Sequence, residues 1–211
     1  MSIGDTRMGN YITDKVKHTK THTDAEQKAL LIATGKSRDT IRDHLIFSFA
    51  FGTGLRQFEI VALNIKDVFN ETDTKQYVRL HTFKRSDKET KYQEIILPRD
   101  LRDKLMLFYK WKGEHGESLK AMAPLFLSQR GTRLSTRRLR SMYAEWEQVA
   151  GLTRHLSFHA MRHTACTAIY EQKNDLRLTQ MFARHKSIDT TTRYTHPSDE
   201  AMLRAVSTLR C

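Results

Sequence analysis

No apolar run in this 211-residue chain is long enough to cross a bilayer. Residues 1–20 are polar and lack the apolar stretch of a secretory signal. Only two cysteines are present, Cys166 and Cys211, too few for a disulfide framework. Cys166 sits in an apolar helical stretch and reads as a small core residue. There are no internal repeats and no low-complexity tracts. These absences exclude a membrane-spanning chain and a disulfide-stapled scaffold. They point to a soluble protein of a reducing cytoplasm.

What is abundant is positive charge. Lys and Arg number 36 against 24 Asp and Glu, a net charge of +12, with an isoelectric point near 9.8. Such a bias attracts polyanions and steers them at long range. Hydrophobic residues make up 39% of the chain, enough for a real core. The length fits one large domain or two small ones.

The pattern predicts a mainly helical domain with one small antiparallel β-sheet, an α+β fold. Residues 1–20 read as a flexible basic arm. Thr23-Asp24-Ala25-Glu26 is a capping box before an apolar run, so a helix starts there and ends near Gly35. Residues 39–53 form a second helix, stopped by Gly52 and Gly54, and residues 57–63 a third. Residues 76–83 and 92–97 are rich in β-branched and aromatic side chains and read as a hairpin with a long charged connection. Pro98 opens a helix through Trp111, which Gly113 and Gly116 break. Ser135 caps a helix reaching Ala150, closed by Gly151. From Ser157 onward the chain is helical with brief interruptions. Pro197, Asp199 and Glu200 begin a last helix, with acidic residues where the macrodipole favours them.

Chemistry concentrates near the end of the chain. Phe158, Met161, Ala165 and Ile169 follow the spacing of a buried helix face. His159 and Arg162, three apart, project side by side from its edge. Arg184-His185 and Tyr194 follow within a few turns. His155, His159 and His163 stand four apart, a spacing that can bind zinc on a helix. However, no Glu lies between His159 and His163, and Leu156-Ser157 reads as a helix start that leaves His155 outside. No metal site is expected. Upstream, Gly52-Thr53-Gly54-Leu55-Arg56 lets the backbone turn tightly and sets Arg56 at an open edge, with Glu59 one helical turn on. Arg130, Arg133, Arg137, Arg138 and Arg140 crowd the start of the helix capped by Ser135. They are candidates for contact with the phosphates of a polyanion such as a nucleic acid.

In this order, Gly-Leu-Arg-x-x-Glu, a hairpin lysine, His-x-x-Arg, a second His and a tyrosine nine residues later resemble the tyrosine recombinase (phage integrase) family. The similarity runs from about Thr23 to Val206. It implies the DNA breaking-rejoining catalytic fold, with a catalytic domain over residues 21–196 and a C-terminal helix over 197–211 that can dock on a neighbouring subunit. The implied activity is site-specific cutting and rejoining of double-stranded DNA through a 3′-phosphotyrosine, serving integration, excision or inversion. Tyr194 is then the nucleophile, and Arg56 and Arg162 are forks on the phosphate. His185 is a further donor, and His159 helps take the tyrosine proton. Glu59 orients the basic groups. A hairpin lysine protonates the leaving 5′-oxygen: Lys84 is preferred, with Lys88 and Lys91 as alternatives. No cofactor is expected. The implied partners are duplex DNA and, on synapsed DNA, three further copies of the chain, with a monomer when free. A nucleoid-associated location in the cytoplasm follows.

The family usually carries a separate helical DNA-binding domain ahead of the catalytic one. Only about twenty residues precede the first catalytic helix here, as in an excised fragment or a single-domain member. The alternatives are a type IB topoisomerase, a catalytically silent DNA-binding regulator and a zinc hydrolase. Whether Tyr194 acts within its own subunit or on a neighbour's site stays open.

Overall fold

The computed structural model describes residues 21–71, 73–82, 91–194 and 207. The expected arm over 1–20, the hairpin lysines Lys84 and Lys88 and the helix begun at Pro197 lie outside the described residues. Lys91 opens a strand.

Helix α1 is Asp24–Thr34 and carries the full capping box. Glu26 N–H donates to Thr23 Oγ1 at 3.2 Å, and Thr23 N–H donates to the Glu26 carboxylate at 2.8 Å. A single 3-10 turn, Arg38–Thr40, precedes α2, Ile41–Thr53. The regular helix therefore starts two residues later than the sequence pattern suggests. Leu45, Ile46, Phe47, Phe49 and Ala50 are all fully buried. A helix apolar on every side belongs at the centre of a fold, and α2 packs against α1, α5 (Arg99–Glu114) and α7 (His159–Lys173).

Helix α3 is Gln57–Ala62, and α4, Ile65–Val68, is a four-residue turn too short to show a period. Strands β1 (Tyr77–Thr82) and β2 (Lys91–Ile96) pair antiparallel, from Tyr77 opposite Ile96 to Thr82 opposite Lys91.

Helix α5 overruns its expected end at Trp111, continuing to Glu114. One glycine costs a helix only about 1 kcal/mol, and continuation seats the fully buried Lys112 against Glu117 and over the Phe108 ring. The break falls instead at Gly116, where φ is +69°.

Helix α6 is Thr136–Val149, capped by Ser135 as expected. Its Tyr143 meets Phe47 and Phe158 edge-on in the core. Buried Glu147 accepts from Leu156 N–H at 2.8 Å and pairs with His155 Nδ1 at 2.5 Å. That fixes the approach to α7 and leaves His155 outside it. Helix α8 is Leu176–Ala183, and two 3-10 turns, Ile188–Thr190 and Thr192–Tyr194, lead to the tyrosine.

Candidate active site

Three segments meet here: the end of α2 with the start of α3, the first turns of α7, and the chain from the end of α8 to Tyr194. Gly54 ends α2 in the left-handed region, φ +59°. A side chain there would be strained, and a Cβ would also press on Phe182 Cε1 at 3.0 Å. The turn frees the Gly54 carbonyl, which accepts from Arg162 Nη1, while Arg162 Nη2 donates to the Ala183 carbonyl. One guanidinium from α7 thus binds the ends of α2 and α8 together. Arg162 is only 2% exposed. Burial first, then the charge of Arg56, pulls its pKa down to about 10, which still leaves it charged at neutral pH.

Glu59 is the second organiser. Its carboxylate accepts from Arg56 N–H at 2.7 Å, from Arg56 Nη1 at 3.0 Å and from Arg184 Nη2 at 2.8 Å. Arg184 follows α8 in a left-handed conformation, φ 54°, uncommon for a residue with a side chain. Glu59 and Arg184 are both buried, whereas the Arg56 side chain keeps 30% of its surface open. Arg56 is therefore the arginine of the three best placed to meet an incoming anion.

On α7, His159 lies at the helix start and His163 one turn later, their rings edge-on with centroids 4.7 Å apart. Partial burial, then the charges of Arg162 and Arg56, lower the His159 pKa from its ordinary value. His185 shares a 3.0 Å hydrogen bond from Nδ1 with Thr191 Oγ1, and its ring lies nearly parallel to that of Tyr194.

Tyr194 is 9% exposed and packs in a small cluster with Cys166 and Ala183. Its hydroxyl shares a 3.1 Å hydrogen bond with His163 Nδ1 and also reaches Cys166. Burial pushes the Cys166 thiol pKa up, against the opposing pull of Arg162, Tyr194, Arg184 and Arg56. Ala183 of the same cluster gives its carbonyl to Arg162, so the phenol and that guanidinium meet at one place within one chain.

Arg56, Glu59, His159, Arg162, His185 and Tyr194 are thus gathered here, and Lys84 lies outside the described residues. Two participants were given no catalytic role by the sequence reading. Arg184 was read with His185 as a second His/Arg set. His163 entered only as a zinc candidate, although its four-residue spacing from His159 was a signal that the two share a face. Among the described residues no group of three or more His, Cys, Asp or Glu is arranged to hold a metal, and no helix is long and apolar enough to cross a membrane.

The arginines around α6 divide. Arg133 donates to the Val61 and Leu63 carbonyls at 2.9 and 3.1 Å and to Asn64 Oδ1 at 2.5 Å. Arg138 forks onto Glu145. These two side chains have partners within the fold. Arg130, Arg137 and Arg140 are exposed, as is Arg133.

The model of the phage integrase family matches residues 20–201. The chain belongs to that family. It is 32% identical over 171 residues to the tyrosine recombinase XerC of Vibrio cholerae serotype O1, covering 81% of this chain and 52% of the relative. The XerC of Vibrio atlanticus is 31% identical over 157 residues, covering 74% and 47%. The chain thus spans about half the length of the curated relatives it matches.

Among solved structures, the XerH site-specific recombinase bound to palindromic difH substrate, a post-cleavage complex, superposes with a TM-score of 0.70 at 25% identity. That alignment covers 97% of this chain and 55% of XerH. The Tn1549 transposon integrase in complex with circular intermediate DNA superposes with a TM-score of 0.71 at 19% identity, covering 96% and 69%, a likeness of fold alone.

Proposed function

We propose that this chain is the catalytic domain of a site-specific DNA recombinase that cuts and rejoins strands through Tyr194. The observation carrying this reading is that Tyr194 packs in one cluster with Ala183, whose carbonyl accepts from Arg162, while Glu59 holds Arg56 to Arg184, the residue after Ala183. A phosphodiester attacked by a phenol passes through a five-coordinate state with extra charge on its non-bridging oxygens. Guanidinium donors that stay protonated stabilise that charge, each typically worth about 10²–10³ in rate. Arg56 takes the phosphate first, and Arg162 lies beneath it with donors beyond the two bound to carbonyls. His185 adds a donor. Glu59 fixes Arg56 in place.

The bond to Tyr194 stores the energy of the broken linkage, so rejoining needs no nucleotide. Protonation of the leaving 5′-oxygen is assigned to Lys84 from the family resemblance. Duplex DNA as partner, assembly of four copies on synapsed DNA and a place with the nucleoid in the cytoplasm follow from the same reading. DNA-bound relatives support it, XerH with difH substrate and a lambda integrase dimer on a COC' core site.

The test is a nicked duplex whose cleavage releases a short strand, so that rejoining fails and the adduct accumulates. The wild-type chain forms a protein–DNA adduct and Tyr194→Phe forms none. An adduct persisting in that variant moves the nucleophile elsewhere. Relaxation of any supercoiled plasmid without site preference would favour a topoisomerase.

A further inference from the structure

We infer that His163 is a catalytic residue: its Nδ1 accepts the Tyr194 proton as the phenol attacks. The inference rests on the strand-cleavage reading above. A general base must lie within hydrogen-bond reach of the proton it removes, and His163 Nδ1 lies 3.1 Å from the Tyr194 hydroxyl. The other imidazoles are otherwise engaged. His185 Nδ1 shares its hydrogen bond with Thr191. His159 stands edge-on to His163, and burial, then the charges of Arg162 and Arg56, disfavours its protonated form. The thiol of Cys166 is kept protonated by burial. Among the described residues, His159, Tyr170, Cys166 and His185 are titratable groups near the pair. Arg56, Arg162 and Arg184 supply the nearby fixed charge.

The step balances without a co-reactant. Neutral His163, carrying its ring proton on Nε2, takes the phenol proton at Nδ1. The phenolate oxygen bonds to phosphorus, and the bond from phosphorus to the 5′-oxygen breaks. That oxygen leaves with a proton from the acid assigned to Lys84. On rejoining, the 5′-hydroxyl returns its proton to that acid and attacks, and Tyr194 leaves with the proton held by His163. His159 then serves the phosphate and the imidazole beside it, not the nucleophile directly.

The experiment measures single-turnover adduct formation from about pH 6 to about pH 10, the range up to an ordinary phenol pKa. The probe is a pool of nicked duplexes randomised across the cleavage region. Wild type, His163→Gln, His163→Asn, His159→Gln and Tyr194→Phe are compared, with thermal melts reporting folding. The two His163 variants should be about 10²–10³-fold slow near neutrality. Their deficit should shrink steadily as rising pH ionises the phenol without help. His159→Gln should be slow by a factor that does not close with pH. A His163 deficit that is constant across pH, or no deficit in a folded variant, overturns the inference and leaves the function standing. Absence of a Tyr194-dependent adduct in the wild type overturns the function and the inference with it.

Discussion

The carboxylate of Glu59 and the guanidinium of Arg184 meet at 2.8 Å although 125 positions separate them in the chain. Both are buried. The same carboxylate holds Arg56 by its backbone N–H and its side chain. Glu59→Ala should strand one buried guanidinium and release another, and breaking a buried pair in this way costs about 3–5 kcal/mol. Glu59→Gln keeps the shape but loses the charge, and should cost less. Urea denaturation should rank wild type above Gln above Ala. Adduct formation should fall in the Gln variant under conditions where it stays folded. An unchanged denaturation midpoint in the Ala variant would remove the clamp from this account.

Gly54 is a second dependence of the site on geometry. Its left-handed φ of +59° costs a side-chain-bearing residue about 1–2 kcal/mol. A Cβ would also press on Phe182, and the Gly54 carbonyl is an acceptor for Arg162. Gly54→Ala should lower the melting temperature and slow adduct formation together. Gly116→Ala is the control, since φ there is also positive, +69°, but nothing lies within 4 Å of the added carbon. It should carry the backbone cost alone and leave the cleavage rate intact.

Stability should fall with acid earlier than carboxylates alone would cause. His22 Nε2 shares a 2.7 Å hydrogen bond with the Tyr143 hydroxyl, and Nδ1 approaches Thr164 Oγ1 of α7 at 3.3 Å. Burial drives its pKa down to about 4 from 6.5, with Glu26 opposing. A base whose folded pKa is depressed takes its proton first in the unfolded state. Its stabilisation is therefore full above pH 6.5 and is lost as pH falls toward 4, by at most about 3 kcal/mol. His44, lowered mainly by burial, acts in the same direction. Glu26, held down to about 2 chiefly by its hydrogen bond from Arg154, acts in a lower window, lost as pH falls from 4.5 toward 2. Denaturant midpoints at pH 7 and pH 5 check this. Wild type should lose stability between them, and His22→Gln, less stable at pH 7, should lose less.

Legibility from sequence followed the range over which each cause acts. The caps at Thr23 and Ser135 were readable because a capping bond closes within three residues. The buried face around Phe158 and Met161 was readable because a helix repeats every 3.6 residues. The end of α5 was misread because glycine is a weak local signal. What kept the helix going was the buried Lys112 and its partner Glu117, beyond the break. The choice between His159 and His163 was not readable at all. Both point from one face of α7, and which one meets the phenol depends on two 3-10 turns that return Tyr194 to that face. Arg184 gained a role only through Glu59, a contact no local pattern encodes.

The arginines near α6 give the sharpest contrast between fold and binding. Arg133 donates to the Val61 and Leu63 carbonyls at the end of α3, the helix that bears Glu59. Arg130, Arg137 and Arg140 are exposed. If these three meet DNA phosphates, each one replaced by Ala should weaken binding similarly on all sequences. Each should also reduce the slope of log affinity against log salt by about 0.9. Arg133→Ala should instead leave the salt slope unchanged and lower the denaturation midpoint, because three buried or half-buried acceptors lose their donor. The measurement is a salt titration of duplex binding beside a urea melt for each variant. A reduced slope in Arg133→Ala at undiminished stability would return Arg133 to the DNA-binding set. An unchanged slope in all three exposed variants would take the DNA track off this end of α6.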